Sequence, residues 1–268
     1  MDRRTKTVHG VACWQFNQST MSTKHVFDDA TGLVEKACLG VASTNPDLRF
    51  FAHHKVLYNA AHPRDKVAIL AGGGAGHEPA FSGLVGSGLV TVAVSGDVFA
   101  SPSSKQICSG VDLAPTDKGI VTIVLNYTGD CLNFGLASEK ARSAFHSEGK
   151  GRDIEMVIVG DDVSVGRSKG GLVGRRGLTG AAFTAKVLGA ASEKGDDVQK
   201  IAHLGRTMVK NFVTVGSSLD HCHVPGRSTD PKERGALSQS AVEIGMGIHN
   251  EPGAKHIENK PSGEDLIK

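Results

Sequence analysis

A short apolar run, Val67-Ala68-Ile69-Leu70, passes straight into Ala71-Gly72-Gly73-Gly74-Ala75-Gly76-His77-Glu78-Pro79. Four apolar residues in a row predict a buried strand. The glycines strip side chains from the chain as it leaves that strand, so backbone amides there can approach a small polar ligand closely. The spacing predicts a strand-to-helix turn. Three more apolar runs share this form: Leu89–Val94 ends in Ser95-Gly96-Asp97, Gly119–Leu125 in Asn126-Tyr127-Thr128-Gly129-Asp130, and Ile154–Val159 in Gly160-Asp161-Asp162. Helical spacing occupies Asp28–Ala42, Leu132–Ala144, Gly180–Lys194 and Val198–Phe212. Ser101–Cys108 opens another helix, with Ser101 as its cap and Pro102 at its first position. Val213–Val224 and Ala241–Ile248 are extended in pattern. Strands alternating with helices predict an α/β fold, a sheet with at least partly parallel strands flanked by helices. In such sheets ligands gather beyond the strand C-termini. No internal repeat is evident.

Composition narrows the class of function. Lys and Arg total 30 against 28 Asp and Glu, so the basic excess typical of nucleic-acid binders is missing. No apolar run approaches the roughly 20 residues of a membrane helix. The five cysteines, Cys13, Cys38, Cys108, Cys131 and Cys222, are odd in number, widely spaced and without a C-x-x-C pair. That pattern fits a reducing, cytoplasmic setting rather than a disulfide framework. Residues 1–22 are basic, without the amphipathic period of a transit peptide, and predict an unstructured extension. Residues 255–268 predict a loose tail. The domain itself is placed at 23–254.

Each candidate site residue has a plain structural alternative. The glycine loop fits no P-loop, which needs Gly-Lys-Ser/Thr where this chain has Gly76-His77-Glu78, nor the G-x-G-x-x-G or H-E-x-x-H patterns. It predicts either a ligand cradle ending in His77 or a tight turn. Asp130, just past a strand, is either a general base towards an alcohol or the cap of the helix near Leu132. His249 lies between Gly245-Met246-Gly247 and Pro252-Gly253. Its neutral imidazole is a nucleophile towards carbonyls as well as a base. His221 and His223 share one face if the segment is a strand, but no third metal ligand is apparent, so no metal site is assigned. Lys169–Arg176 reads as a solvated loop, or as a dock for an acidic or phosphate-bearing partner.

Taken together, seven segments in order across about residues 24–254 resemble the dihydroxyacetone (glycerone) kinase family, and more narrowly its substrate-binding K domain. They are Gly72–Pro79, Gly96–Pro102, Asn126–Asp130 with Leu132-Asn133-Phe134, Gly160–Val163, Gly174–Gly177, Cys222–Gly226 and Gly247–Gly253. The resemblance implies a fold of the K-domain N-terminal subdomain type. It implies that Gly74, Ala75, Gly76 and His77 hold dihydroxyacetone with Ser101, Leu125 and Asp130. It further implies that Asp130 is the base on the substrate hydroxyl and that His249 bonds to the carbonyl as a hemiaminal, with His77, Asp130 and His249 as the catalytic set. Such a covalent bond would select ketones and aldehydes and reject glycerol, which hydrogen bonds alone separate poorly.

The sequence departs from the family pattern twice. Leu125 stands where the family usually has a substrate-contacting Lys before N-Y-T-G-D, and the chain ends soon after Gly253, where the family's K domain continues. The resemblance implies no cofactor in this chain, with ATP and Mg²⁺ on a nucleotide-binding L domain or subunit, and a possible homodimer. Two function classes follow: the ketose-binding part of an ATP-dependent dihydroxyacetone kinase of glycerol catabolism, inactive without its L-domain partner, or a catalytically inactive binder or sensor of small ketoses. A metal-binding role for the His221/His223 face is a third.

Overall fold

The structure is a computed structural model that describes residues 26, 27, 29–149, 151–166, 173–227 and 237–267. The expected extension at 1–22 and the Lys169–Leu172 part of the basic loop lie outside the described residues.

Six strands form one mixed sheet: β1 (Leu48–Phe51), β2 (Val56–Asn59), β3 (Ala68–Ala75), β4 (Val92–Val98), β5 (Ile120–Leu125) and β6 (Ile154–Val159), in the spatial order β1-β2-β4-β3-β5-β6. The last four are mutually parallel, while β1 and β2 form an antiparallel edge. Alternation along β5 shows how both faces are covered. Val121, Ile123 and Leu125 pack in the core beneath α4 (Gly180–Glu193) and α5 (Val198–Met208). Ile120 and Val124 face the core under α2 (Ser104–Leu113) and α3 (Thr128–Glu148). A strand buried on both faces must be apolar throughout, and β5 is. A first helix, α1 (Leu33–Ser43), packs Val34 and Cys38 beside Ala75.

Several expected boundaries shift. The glycines are not a strand-to-helix turn: Gly72, Gly73 and Gly74 continue β3 itself, and the turn begins at Gly76 with φ +95°. The reason is steric. A Cβ on Gly72 would stand 2.3 Å from the Val94 carbonyl oxygen, and one on Gly74 would stand 2.9 Å from the Ala100 nitrogen. Only side-chain-free residues let β3 run so close to β4 and its following loop. The second strand starts at Val92 rather than Leu89, and α2 starts three residues later than expected. Its cap is Ser103, whose hydroxyl accepts from Gln106 N–H while the Gln106 side chain accepts from Ser103 N–H. Ser101 is thereby freed from capping. Asp130 is not a cap either. The helix opens at Thr128 with Tyr127 before it, so Asp130 lies inside the first turn.

The extended segments after α5 are mostly loop. They contribute β7 (Ser217–Ser218) and β8 (Val242–Ile244) to a small antiparallel sheet. The tail expected to be loose supplies its third strand, β9 (Lys255–Ile257), and the short helix α6 (Gly263–Ile267). Gly253 N–H donates to Glu243 and Ala254 N–H to the Ile244 carbonyl, which folds 255–257 back along β8. His221-Cys222-His223 belongs to no strand, so the shared-face argument for those histidines lapses.

Candidate active site

The C-terminal ends of β3 and β5, the first turn of α3 and the loop after β8 converge on one chamber. Its lining includes Gly73, Gly74, His77, Leu125, Tyr127, Asp130 and His249. Its volume is about 20 Å³, room for about one water. Five of the residues singled out in the sequence are thus brought together. Ala75 lies against α1 instead, and Gly76 serves as the positive-φ turn that delivers His77.

The loop Gly245–Gly253 is held by its own polar groups. Gly247 N–H donates to the Glu251 carbonyl. The Glu251 carboxylate accepts the His249 backbone N–H at 2.9 Å and lies 3.0 Å from His249 Nδ1. Burial pushes the Glu251 carboxyl up, but the two hydrogen bonds from His249 prevail and hold it below its ordinary value. An ionised carboxylate only accepts, so Nδ1 carries the proton and Nε2 keeps its lone pair. That Nε2 stands 3.1 Å from His77 Nε2, which must therefore be the donor. Burial and the neighbouring His249 lower the His77 pKa, which keeps this ring neutral near pH 7. Phe99 stacks on His77 at 4.9 Å, and Tyr127 meets His249 edge-on at 5.0 Å. Tyr127 is itself fixed by donating to the Gly177 carbonyl.

Arg176 ties the loop to the main sheet. It donates through Nε to Asp162 at 2.8 Å and through a terminal nitrogen to the Gly245 carbonyl at 2.8 Å. Glu251 and Arg176 both lie in motifs the sequence displays, yet neither signals its task, because the partners are distant in the chain. Replacing Glu251 with Gln removes the charge that fixes the His249 tautomer. Nitrogen NMR of the ring is expected to change from a single Nδ1–H species to a mixture of tautomers.

Asp130 is buried, and its Oδ1 has no hydrogen-bond partner. Burial raises its pKa, while the adjacent Ser101 hydroxyl and His249 act the other way. Opposite it, a Cβ on Gly73 would lie 3.6 Å from Asp130 Oδ2, at ordinary contact distance. Gly73→Ala should therefore fold normally but fill the chamber. Titration with dihydroxyacetone is expected to show roughly tenfold or greater loss of affinity with little change in unfolding midpoint.

The neighbouring acids do not suit a metal. Asp161 accepts from Leu178 N–H, Gly180 N–H and the Thr214 hydroxyl, while Asp162 accepts from Arg176 and Ser164. Adjacent in sequence, they turn to different partners. Among the described residues no group of three or more His, Cys, Asp or Glu side chains stands together to hold a metal ion. Nor is any helix of those residues long and apolar enough to cross a membrane.

A kinase-type K-domain fold, with a histidine pair and a buried carboxylate at one strand edge, matches known proteins along most of the chain. The chain belongs to the Dak1 domain family, whose model matches residues 39–268. It is 44% identical to a dihydroxyacetone kinase of Pichia angusta over 92% of this chain and 41% of that protein. It is 37% identical to the human triokinase/FMN cyclase, over 92% of this chain and 42% of the relative. The crystal structure of the dihydroxyacetone kinase of C. freundii superposes with a TM-score of 0.80 at 34% identity, covering 91% of this chain and 43% of that one. A dihydroxyacetone kinase operon co-activator, Dha-DhaQ, superposes at 0.77 with 30% identity, covering 87% and 68%. The chain thus spans about two-fifths of the length of these curated relatives.

Proposed function

We propose that this chain is the ketose-binding part of an ATP-dependent dihydroxyacetone kinase and holds its substrate covalently on His249. The observation that carries the reading is the Glu251–His249–His77 relay, which presents an unprotonated Nε2 to the same chamber as a buried carboxylate. Entry of dihydroxyacetone would separate the two histidines. The His249 Nε2 lone pair would attack the carbonyl carbon, and the carbonyl π pair would pass to oxygen, which takes up a proton. The Nδ1 proton would leave towards Glu251, so the hemiaminal is neutral. His77, its Nε2–H released, would donate to the substrate oxygens. Asp130 would then accept the proton of the free hydroxyl as that oxygen attacks phosphorus. Tethering fixes the hydroxyl for in-line transfer.

The residues described here do not fit a nucleotide's metal, so Mg²⁺ and ATP are assigned to an L-type domain or subunit. The test is an assay with ATP, Mg²⁺ and dihydroxyacetone. The purified chain alone is expected to give no dihydroxyacetone phosphate, and a complementing L domain is expected to give turnover. Turnover by the chain alone would refute the assignment, as would its absence with every L domain that supports a related K domain.

A second reading, a ketose sensor without turnover, is favoured by the likeness to the operon co-activator and by Leu125, which lines the chamber without offering a donor. Leu125→Lys is expected to place an ammonium beside the substrate. A charge-assisted hydrogen bond contributes about 1.5–3 kcal/mol, so affinity for dihydroxyacetone should rise roughly tenfold, as read by calorimetry.

A further inference from the structure

Beside the small chamber lies a second cavity of about 530 Å³, within the ~300–1,000 Å³ range of ligand clefts. Five residues, His77, Ala80, Phe81, Leu125 and Ile248, line both. Away from them the larger cavity runs under Leu84, Leu178 and Ala182 to the loop after α5. Its lining is chiefly apolar. Asp220 is its only carboxylate, and neither Lys nor Arg lines it. The start of α4 borders the cavity, but the Leu178 and Gly180 amides there already donate to Asp161 at 2.7 and 2.8 Å. An anionic group such as a phosphate therefore finds neither a cation nor free helix amides.

From this we infer that the site takes neutral α-hydroxyketones bearing an apolar tail, with the carbonyl end at His249 and the tail in the large cavity. The inference rests on the ketose reading proposed above and narrows its substrate class. A three-carbon ketose would leave the cavity to water, whereas an alkyl or aryl tail would bury apolar surface against Phe81, Leu84 and Leu125. Each methylene buried in this way contributes about 0.8 kcal/mol, or about fourfold in affinity.

The experiment uses native mass spectrometry with dihydroxyacetone and a series of 1-hydroxy-2-alkanones of increasing length. Complex formation by the wild-type chain is compared with that of Ala182→Phe, which fills the large cavity without touching the chamber. The expected result is affinity rising several-fold per methylene across the series in wild type. In Ala182→Phe the gain should be abolished while dihydroxyacetone binding is kept. If dihydroxyacetone binds but affinity stays flat or falls with tail length, the inference is overturned and the ketose reading stands. The same follows if Ala182→Phe leaves the gain intact. If no ketone of either kind binds, the ketose reading itself fails and takes the inference with it.

Discussion

Asp130→Asn is expected to lower phosphoryl transfer in the reconstituted system by roughly 10²-fold or more, the scale of a lost general base, while ketone capture on His249 persists. The same substitution should stabilise the fold. Burial holds the Asp130 carboxyl above its ordinary 3.8 in the native state. As pH rises, the unfolded chain therefore loses this proton first, and native stability falls until the folded carboxyl ionises too. Above that point the cost is constant, and below 3.8 it vanishes. The neutral Asn escapes it. At pH 7 the variant should melt about 2–4 °C higher, the shift that ~1 kcal/mol gives a domain of this size. The advantage should disappear in acid. Unchanged turnover would reduce Asp130 to a structural member of α3.

His249→Ala is expected to have the largest effect on binding. The nucleophile goes, and with it the only partner of the His77 Nε2 hydrogen bond shown in the chamber. Retention of dihydroxyacetone should fall to background, and reconstituted turnover by roughly 10²-fold or more, as expected when a substrate loses its positioning. The fold should survive, because the ring is partly exposed and the loop is pinned independently by Arg176 to Gly245. Turnover at the wild-type rate would mean that hydrogen bonds alone position the ketose.

The sequence made some elements plain and hid others. β6 at Ile154–Val159 matches its apolar run residue for residue, and β5 differs only by Gly119, because strands buried on both faces must be apolar. The parallel order followed from strand–helix alternation. The glycine run misled on conformation. Its lack of side chains answers the Val94 and Ala100 backbones across the sheet, a tertiary demand that local pattern does not display. Ser101 was misplaced as a cap because Ser-Pro is a common helix opening, while the true cap depends on Gln106 reaching back to Ser103. In the site, His77, Asp130 and His249 were legible as chemistry-bearing residues in unusual loops. Glu251 and Arg176 were not, since their roles exist only once the loop after β8 folds onto the end of β6.

The most direct test of covalent capture is NMR of [2-¹³C]dihydroxyacetone bound to protein carrying ¹⁵N-histidine. The account predicts that the ketone carbon moves from the carbonyl to the tetrahedral region and shows one-bond coupling to the Nε2 of a single histidine, both lost in His249→Ala. A bound ketone carbon without coupling to imidazole nitrogen, or coupling that survives His249→Ala, would contradict it.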